Sequence, residues 1–476
     1  MEIVKRYYKE ILFFGSYLAV LLICMSPDVS VKAYGNDGYS IFYGGYFLEA
    51  RYPSPVHTFL GYPASHLPFG NPAGNMVLFL SVLPAFVSSI LVFAILKRKT
   101  ENPLSPWIGS VTVMGNYIFF SQAIIIEVYA LLAMFLAMSY ALLVYNKPKL
   151  AAVTCGIAMG VHLTTSLIFF FAMVVSIKEF RRYVYIPIIV VVIISLLYGL
   201  LPRFYWDIGT RNNIFETMRV LWGALGTGGD SSSVYYGIFP AVKLLCVGFG
   251  LSLIPIIFAT RKIEASAHLL FLLLIPVIYM IVGNWIYRSV QLVPFIPFAG
   301  VLAGIGVGYI RTSYLSRVVF ASMIAMMISM PFFFDIGRTL DENPTTIRQL
   351  YNSLDDVKDG SLIISLRLFE TDKGWVSDGA GNHVSTVVEH YNSESGVNLV
   401  PVPLNFVWDE NSANREKLIE RGVNVPEFDE RAWVVSEEEA YLYVMRTIAD
   451  ANPDRDVYYY RTVDKETGRC ELVSLN

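Results

Sequence analysis

What most constrains this chain is a succession of apolar runs, each closed at one end by lysine or arginine. Runs of about 17 to 25 residues with few charges can cross the hydrocarbon core of a bilayer as helices. Basic residues gather at the cytoplasmic ends of such spans. Here they stand at Lys5-Arg6, Lys97-Arg98-Lys99, Lys147 with Lys149, Lys178 with Arg181-Arg182, Arg261-Lys262, and Arg311 with Arg317. Placing all of them inside predicts an α-helical polytopic membrane protein of about 11 transmembrane helices. The spans run over 11–25, 76–96, 106–122, 128–145, 150–162, 163–177, 184–201, 238–260, 265–283, 289–310 and 316–334. The N-terminus is then cytoplasmic and the C-terminal part extracytoplasmic. The stretch 150–177 decides this path. Both its ends are basic, so it reads as two short helices meeting near Gly160-Val161-His162 rather than one long one.

Only 16% of the residues are charged, against roughly 25% in ordinary soluble domains. The apolar runs stop near Asp335, and residues 336–476 carry 14 Lys/Arg against 26 Asp/Glu. Two units follow: a membrane domain over 1–335, and an acidic domain over 336–476. The acidity of the second excludes nucleic acid or an anionic membrane surface as its partner. Its pattern predicts helices over 344–354, 381–390, 413–421 and 436–448, and strands over 361–366, 397–402, 456–461 and 469–474. That alternation is the mark of a small α/β domain. Cys24, Cys155 and Cys246 fall in apolar runs and Cys470 stands alone, so no disulfide framework is available. Ser26-Pro27-Asp28 offers no small-residue cleavage site, and the first run reads as an uncleaved span.

The long first loop, 26–75, lies between two such runs and opens on one membrane face. It holds Gly35-Asn36-Asp37-Gly38-Tyr39, Arg51, His57 and His66 among several prolines. Proline fixes φ and removes a donor, so the loop reads as pre-shaped. Ordered loops on a scaffold carry function, and the acid at its centre is the first catalytic candidate. At the rim of a cavity, the Asp37 carboxylate can take the proton of an acceptor hydroxyl while a phosphate-linked group is displaced. The ordinary alternative is a turn-forming Asp before Gly. His57 and His66 with Asp37 offer a further, metal-binding option, but the spacing matches no specific metal motif.

Glu127 interrupts an apolar run, where an ionisable side chain is costly and therefore a functional candidate. Equally, it can cap the helix that follows, whose dipole favours a negative charge. His162 follows Gly156 and Gly160, small residues that let helices approach closely. Arg288, in Trp285-Ile286-Tyr287-Arg288, stands where a span meets the outer surface and suits bidentate phosphate recognition. Arg203, Arg211 and Arg219 add charge, with interfacial snorkelling as the ordinary reading of each. No Walker loop, paired CxxC or Ser-His-Asp spacing is present.

Several of these residues form a recognisable set. Asn36-Asp37-Gly38-Tyr39, Tyr52-Pro53-Ser54-Pro55, Leu60-Gly61-Tyr62-Pro63, Pro68-Phe69-Gly70-Asn71, Phe120-Ser121-Gln122-Ala123, Glu127-Val128-Tyr129-Ala130-Leu131 and Gly160-Val161-His162-Leu163 resemble the GT-C membrane glycosyltransferases. Within them the chain is most similar to a branch long catalogued as a domain of unknown function, which includes a eukaryotic protein O-mannosyltransferase. The strong motifs cover roughly 34–170. The resemblance implies a polyprenyl-phosphate sugar donor (of dolichyl type), an extracytoplasmic active site, and an inverting transfer with the first-loop acid as base. Asp37 matches that acid, and Glu127 and His162 match the branch's other polar markers. Where the branch shows an acidic pair, this chain has Asp37-Gly38-Tyr39-Ser40, so Asp28 or Glu49 would have to stand in for the second acid.

The expectation is thus a membrane glycosyltransferase moving mannose or another hexose from a polyprenyl phosphate to an extracytoplasmic protein or glycan. Asp37 is its catalytic residue, with Glu127, His162, Arg288, His57, Arg51 and Tyr39 binding substrate. No cofactor is implied, and a divalent metal has no support in the spacing. The competing class is a transporter or lipid flippase, which predicts internal repeats and acids deep in the later spans. The sequence shows neither.

Overall fold

A computed structural model describes residues 2–25, 37–50, 54–69, 72–201, 246, 248–260, 267–275, 292–310, 313–333, 351–371, 374–377, 381–403, 413–428, 437–464 and 469–475. The chain divides into two compact units, the second drawn mostly from Gly337–Asn476.

The first unit is helical. α1 (Glu2–Cys24) is followed by α2 (Asp37–Phe47) and α3 (Pro55–Ser65), then by the long α4 (Pro72–Lys99). α5 (Ser105–Met114), α6 (Tyr117–Ala123), α7 (Tyr129–Val144), α8 (Pro148–Val161), α9 (Leu163–Ser176) and α10 (Tyr185–Gly199) come next. The later described helices include α11 (Leu253–Ala259), a helical stretch over 267–275, α12 (Ile296–Val307) and α13 (Ser313–Phe333). Among the described residues, Tyr7–Cys24 and Pro72–Lys99 are long and apolar enough to cross a membrane unaided. α7, α8, α9 and α10 are shorter apolar helices. One side of α10 is apolar and open, with Ile193, Leu196 and Leu197 exposed, as a lipid-facing surface requires.

Two expectations are corrected. The first loop is not a proline-shaped loop but carries α2, α3 and the start of α4. Pro55 and Pro72 stand in first helical turns, where the missing N–H has no partner to lose. The span expected over 106–122 is two helices, α5 and α6. They part at Gly115-Asn116, where the Asn116 side chain accepts the Phe119 N–H at 3.0 Å and starts α6. Within α4, Leu78–Val82 forms a π-helical turn. Pro84 follows it, and a proline inside a helix removes one i→i−4 bond and crowds the carbonyl four residues back, a strain that a local i→i+5 turn relieves.

The helices meet at several glycines. A Cβ on Gly300 of α12 would fall 2.6 Å from the Gly109 carbonyl oxygen of α5, so these backbones touch as no larger residue allows. In α8, a Cβ on Gly156 would fall 3.0 Å from the Pro187 Cα of α10, and one on Gly160 would fall 2.8 Å from Val56 Cγ2 of α3. The 150–177 stretch turns back on itself. α8 and α9 part at His162, and Lys149 near the start of α8 lies 5.8 Å from the Tyr183 ring beyond the end of α9.

The second unit is a five-stranded sheet with helices. β1 (Leu362–Thr371) pairs parallel with β3 (Val400–Val402) and β4 (Val457–Asp464), and antiparallel with β2 (Gly374–Ser377). β4 pairs antiparallel with β5 (Arg469–Ser474). α14 (Gly381–Ser395) links β2 to β3, and α15 (Ala413–Glu420) and α16 (Glu437–Ala451) lie between β3 and β4. Leu362, Ile364, Val400, Val402 and Val457 pack against Leu418, Val444, Met445 and Ile448 in one core. Asn392 pins α14 to β3 by accepting the Leu399 N–H and donating to the Leu399 carbonyl. β2 has no counterpart in the sequence expectation.

Candidate active site

α6 ends at Ala123, and residues 124–128 run unhelically through the protein interior before α7. Glu127 lies in this break and is buried. Its carboxylate stands just before the first turn of α7, where the helix dipole favours negative charge. Tyr129, two residues on, places its ring 5.7 Å from that of His162. Tyr129 and His162, 33 residues apart in the sequence, therefore meet in space.

His162 serves two helices at once. Its backbone is extended (φ −155°, ψ 100°), its N–H closes α8 on the Ala158 carbonyl, and its Nδ1 accepts the Thr165 N–H that opens α9. The Thr165 hydroxyl lies 3.0 Å from the same nitrogen. An Nδ1 that accepts leaves the ring proton on Nε2, so His162 presents a fixed donor.

α3 packs against α8 where Val56 meets Gly160. His57, next in sequence, is 1% exposed, and neither ring nitrogen has a hydrogen-bond partner among the described residues. Burial pushes its pKa down to about 3, so the ring is neutral at physiological pH. The Ser54 hydroxyl, one turn earlier, is also buried and unpartnered there. His66 does not share this position. It closes α3 in the open, stacked 5.2 Å from the Tyr46 ring and 4.5 Å from that of Tyr62. Nine residues along a helix is half a turn out of phase, so His57 and His66 do not converge on one ligand.

Asp37 opens α2, with Tyr39 in the same first turn. Their side chains lie outside the described residues, as do Asp28, Arg51 and Arg288 entirely, and Arg203, Arg211 and Arg219 with them. α2 is held to α3 through Gly45, where a Cβ would fall 3.1 Å from the Gly61 Cα. Glu49 follows α2, its N–H bonded to the Gly44 carbonyl.

Sequence reasoning missed a second polar chain. Lys99 Nζ donates to the Tyr140 hydroxyl at 2.8 Å, and that hydroxyl lies 2.9 Å from His268 Nε2. Tyr140 is eleven residues along α7 from Tyr129, so this chain sits about 16 Å from the Glu127 end of the helix. Lys99 reads in the sequence as an ordinary basic span end, and only tertiary packing gives it its partners.

The fold resembles that of solved GT-C glycosyltransferases. Sequence comparison alone finds no match, neither to a family model nor to a curated protein. The solved structures it resembles include ArnT from Cupriavidus metallidurans in the apo state (TM-score 0.58, 11% identity, 99% of this chain and 98% of that one). The same enzyme bound to undecaprenyl phosphate aligns with a TM-score of 0.53 at 12% identity, over 83% of this chain and 90% of that one. The Archaeoglobus fulgidus oligosaccharyltransferase, tethered to an acceptor peptide containing the NVT sequon, aligns with a TM-score of 0.51 at 11% identity, over 97% of this chain and 70% of that one. At these identities the likeness is one of fold.

Proposed function

We propose that this chain is a multi-pass membrane glycosyltransferase. It moves a sugar, mannose or another hexose, from a polyprenyl-phosphate donor to an extracytoplasmic acceptor, a protein hydroxyl or a glycan. The observation that carries the reading is the GT-C fold over almost the whole chain, alongside a neighbour bound to undecaprenyl phosphate. The meeting of the Glu127 break with the His162 turn supports it, since both are polar features sunk in an apolar helical unit.

In this reading Asp37 takes the proton of the acceptor hydroxyl. The freed oxygen attacks the anomeric carbon from the face opposite the phosphate, the carbon–oxygen bond to phosphate breaks, and its electron pair leaves on the polyprenyl phosphate. Configuration inverts. Arg288 and Arg51 hold the phosphate, matching its oxygens as guanidinium groups do. Glu127 and His162 shape the cavity, and Tyr39 and His57 contact the sugar. The N-terminus lies in the cytoplasm, and the α/β unit lies outside, where it recognises the acceptor. No cofactor takes part in this scheme, and the transporter reading has no observation of its own in its favour.

The test is transfer of radiolabelled sugar from a panel of polyprenyl-phosphate sugars, in membranes carrying the wild type or Asp37→Asn. Loss of a general base costs about 100-fold or more, and that is the expected drop. Full activity in Asp37→Asn removes Asp37 as the base. A folded wild type inert toward every donor removes glycosyl transfer.

A further inference from the structure

The burial of His57 sharpens the contact with the sugar proposed for it above. Its ring is buried in the first turn of α3, just after the N-cap Ser54, and both nitrogens lack partners among the described residues. A buried polar group left without a hydrogen bond is costly, and native proteins leave few of them. Two on one side chain, with the hydroxyl of the N-cap Ser54 unpartnered three residues earlier, form a small set of buried hydrogen-bonding groups at the start of α3.

The chemistry of the set restricts what it fits. A neutral imidazole offers one donor and one acceptor, and a serine hydroxyl offers both. A phosphate at neutral pH offers acceptors alone and would leave the imidazole acceptor unmatched. A cation would leave the donor unmatched. A pair of neighbouring hydroxyls, each donor and acceptor, satisfies all of it. The position agrees, because Val56 packs on Gly160, two residues before His162.

Resting on the glycosyl-transfer reading, we propose that His57, with Ser54, recognises a hydroxyl of the transferred sugar and so sets which sugar is accepted. His57 is then a specificity residue of the donor site rather than a phosphate or metal ligand. A site built to bond a hydroxyl rejects the analogue lacking it far more strongly than an apolar pocket rejects a change of size, because its own polar groups are left unpaired.

The experiment compares kcat/KM for the preferred polyprenyl-phosphate sugar and its single-deoxy analogues, in the wild type, His57→Phe and His57→Gln, with Tm measured for each. In the wild type, one deoxy analogue falls about 100-fold or more below the parent sugar. In His57→Phe, the parent falls to the level of that analogue and the ratio collapses toward one, while the other analogues keep their ratios. His57→Gln, which keeps a donor and an acceptor, retains part of the discrimination and serves alone if His57→Phe does not fold. An equal loss on every donor makes His57 structural, and unchanged ratios leave it bonded to water only. Either result overturns the assignment while transfer itself stands. A wild type inert toward every donor removes the transfer reading and this assignment with it.

Discussion

Two of the glycine seams of the helical unit use the same device to opposite ends. At the α5–α12 seam, Gly109 and Gly300 bring two backbones together among Val92, Leu96 and Val113. Closeness there is its own result, an apolar contact between two short helices. At the α3–α8 seam, Gly160 admits Val56 in the same manner, but the neighbours are His57 and Ser54, and the helix ends two residues later at His162. Close packing there holds polar groups in place instead of replacing them. The first seam keeps the unit together, and the second presents chemistry.

The largest effect expected from breaking this contrast is at the first seam. Gly300→Leu drives a side chain into the Gly109 carbonyl and Val113. Overpacking costs about 1–3 kcal/mol where neighbours can yield, and backbone cannot, so the upper end or loss of folding is expected. Thermal unfolding in detergent reads it, and the molecules that do fold should transfer sugar at the wild-type rate.

At the second seam the expected effect appears with pH. Above about pH 6.5 the His57 ring is neutral in both folded and unfolded chains and contributes nothing to pH dependence. Below it the unfolded ring takes a proton that the buried ring refuses until about pH 3. Stability should therefore fall as pH falls, by up to about 1.4 kcal/mol per pH unit. His57→Phe should flatten that slope, as denaturant midpoints at pH 7.5, 6 and 5 would show.

His162→Ala removes the cap of α9, worth about 1 kcal/mol, and the fixed imidazole as well. Transfer should drop by more than that figure alone explains, and a matching drop in both would make the residue a cap and nothing else. The smallest effect lies outside both seams. Arg461 and Glu471 face each other across β4 and β5 as an ion pair. Arg461→Ala should cost roughly 0.5 kcal/mol, fading in high salt, with donor discrimination unchanged.

Much of this was legible in the sequence, for identifiable reasons. A glutamate within an apolar run and a histidine after two small residues are expensive placements, so Glu127 and His162 stood out before any coordinate. The break at His162 followed from charge, because Lys149 and Lys178 cannot both end a single crossing on one side. Strand and helix periods marked β1, β4, β5, α14 and α16 to within a few residues. What stayed hidden depends on distant contacts. Prolines 55 and 72 begin helices, but proline punctuates turns equally well. His57 and His66 read alike along the chain, and only the docking of α3 on α8 buries one and leaves the other in the open. Tyr140 is one aromatic among many until His268, 128 residues away, reaches its hydroxyl.

The α8–α9 hairpin has a consequence for the lipid around it. Each arm has 14 residues, about 21 Å of helix, where a bilayer's hydrocarbon layer is about 30 Å deep. In the proposed topology, anchored at its basic end, the hairpin stops short and its bend lies below the opposite headgroups. Bilayers answer a short hydrophobic length by thinning, at a modest elastic cost per ångström. In the proposed reading the deformable partner at this site is the membrane: it dips toward the bend, and the donor's phosphate is carried down with it.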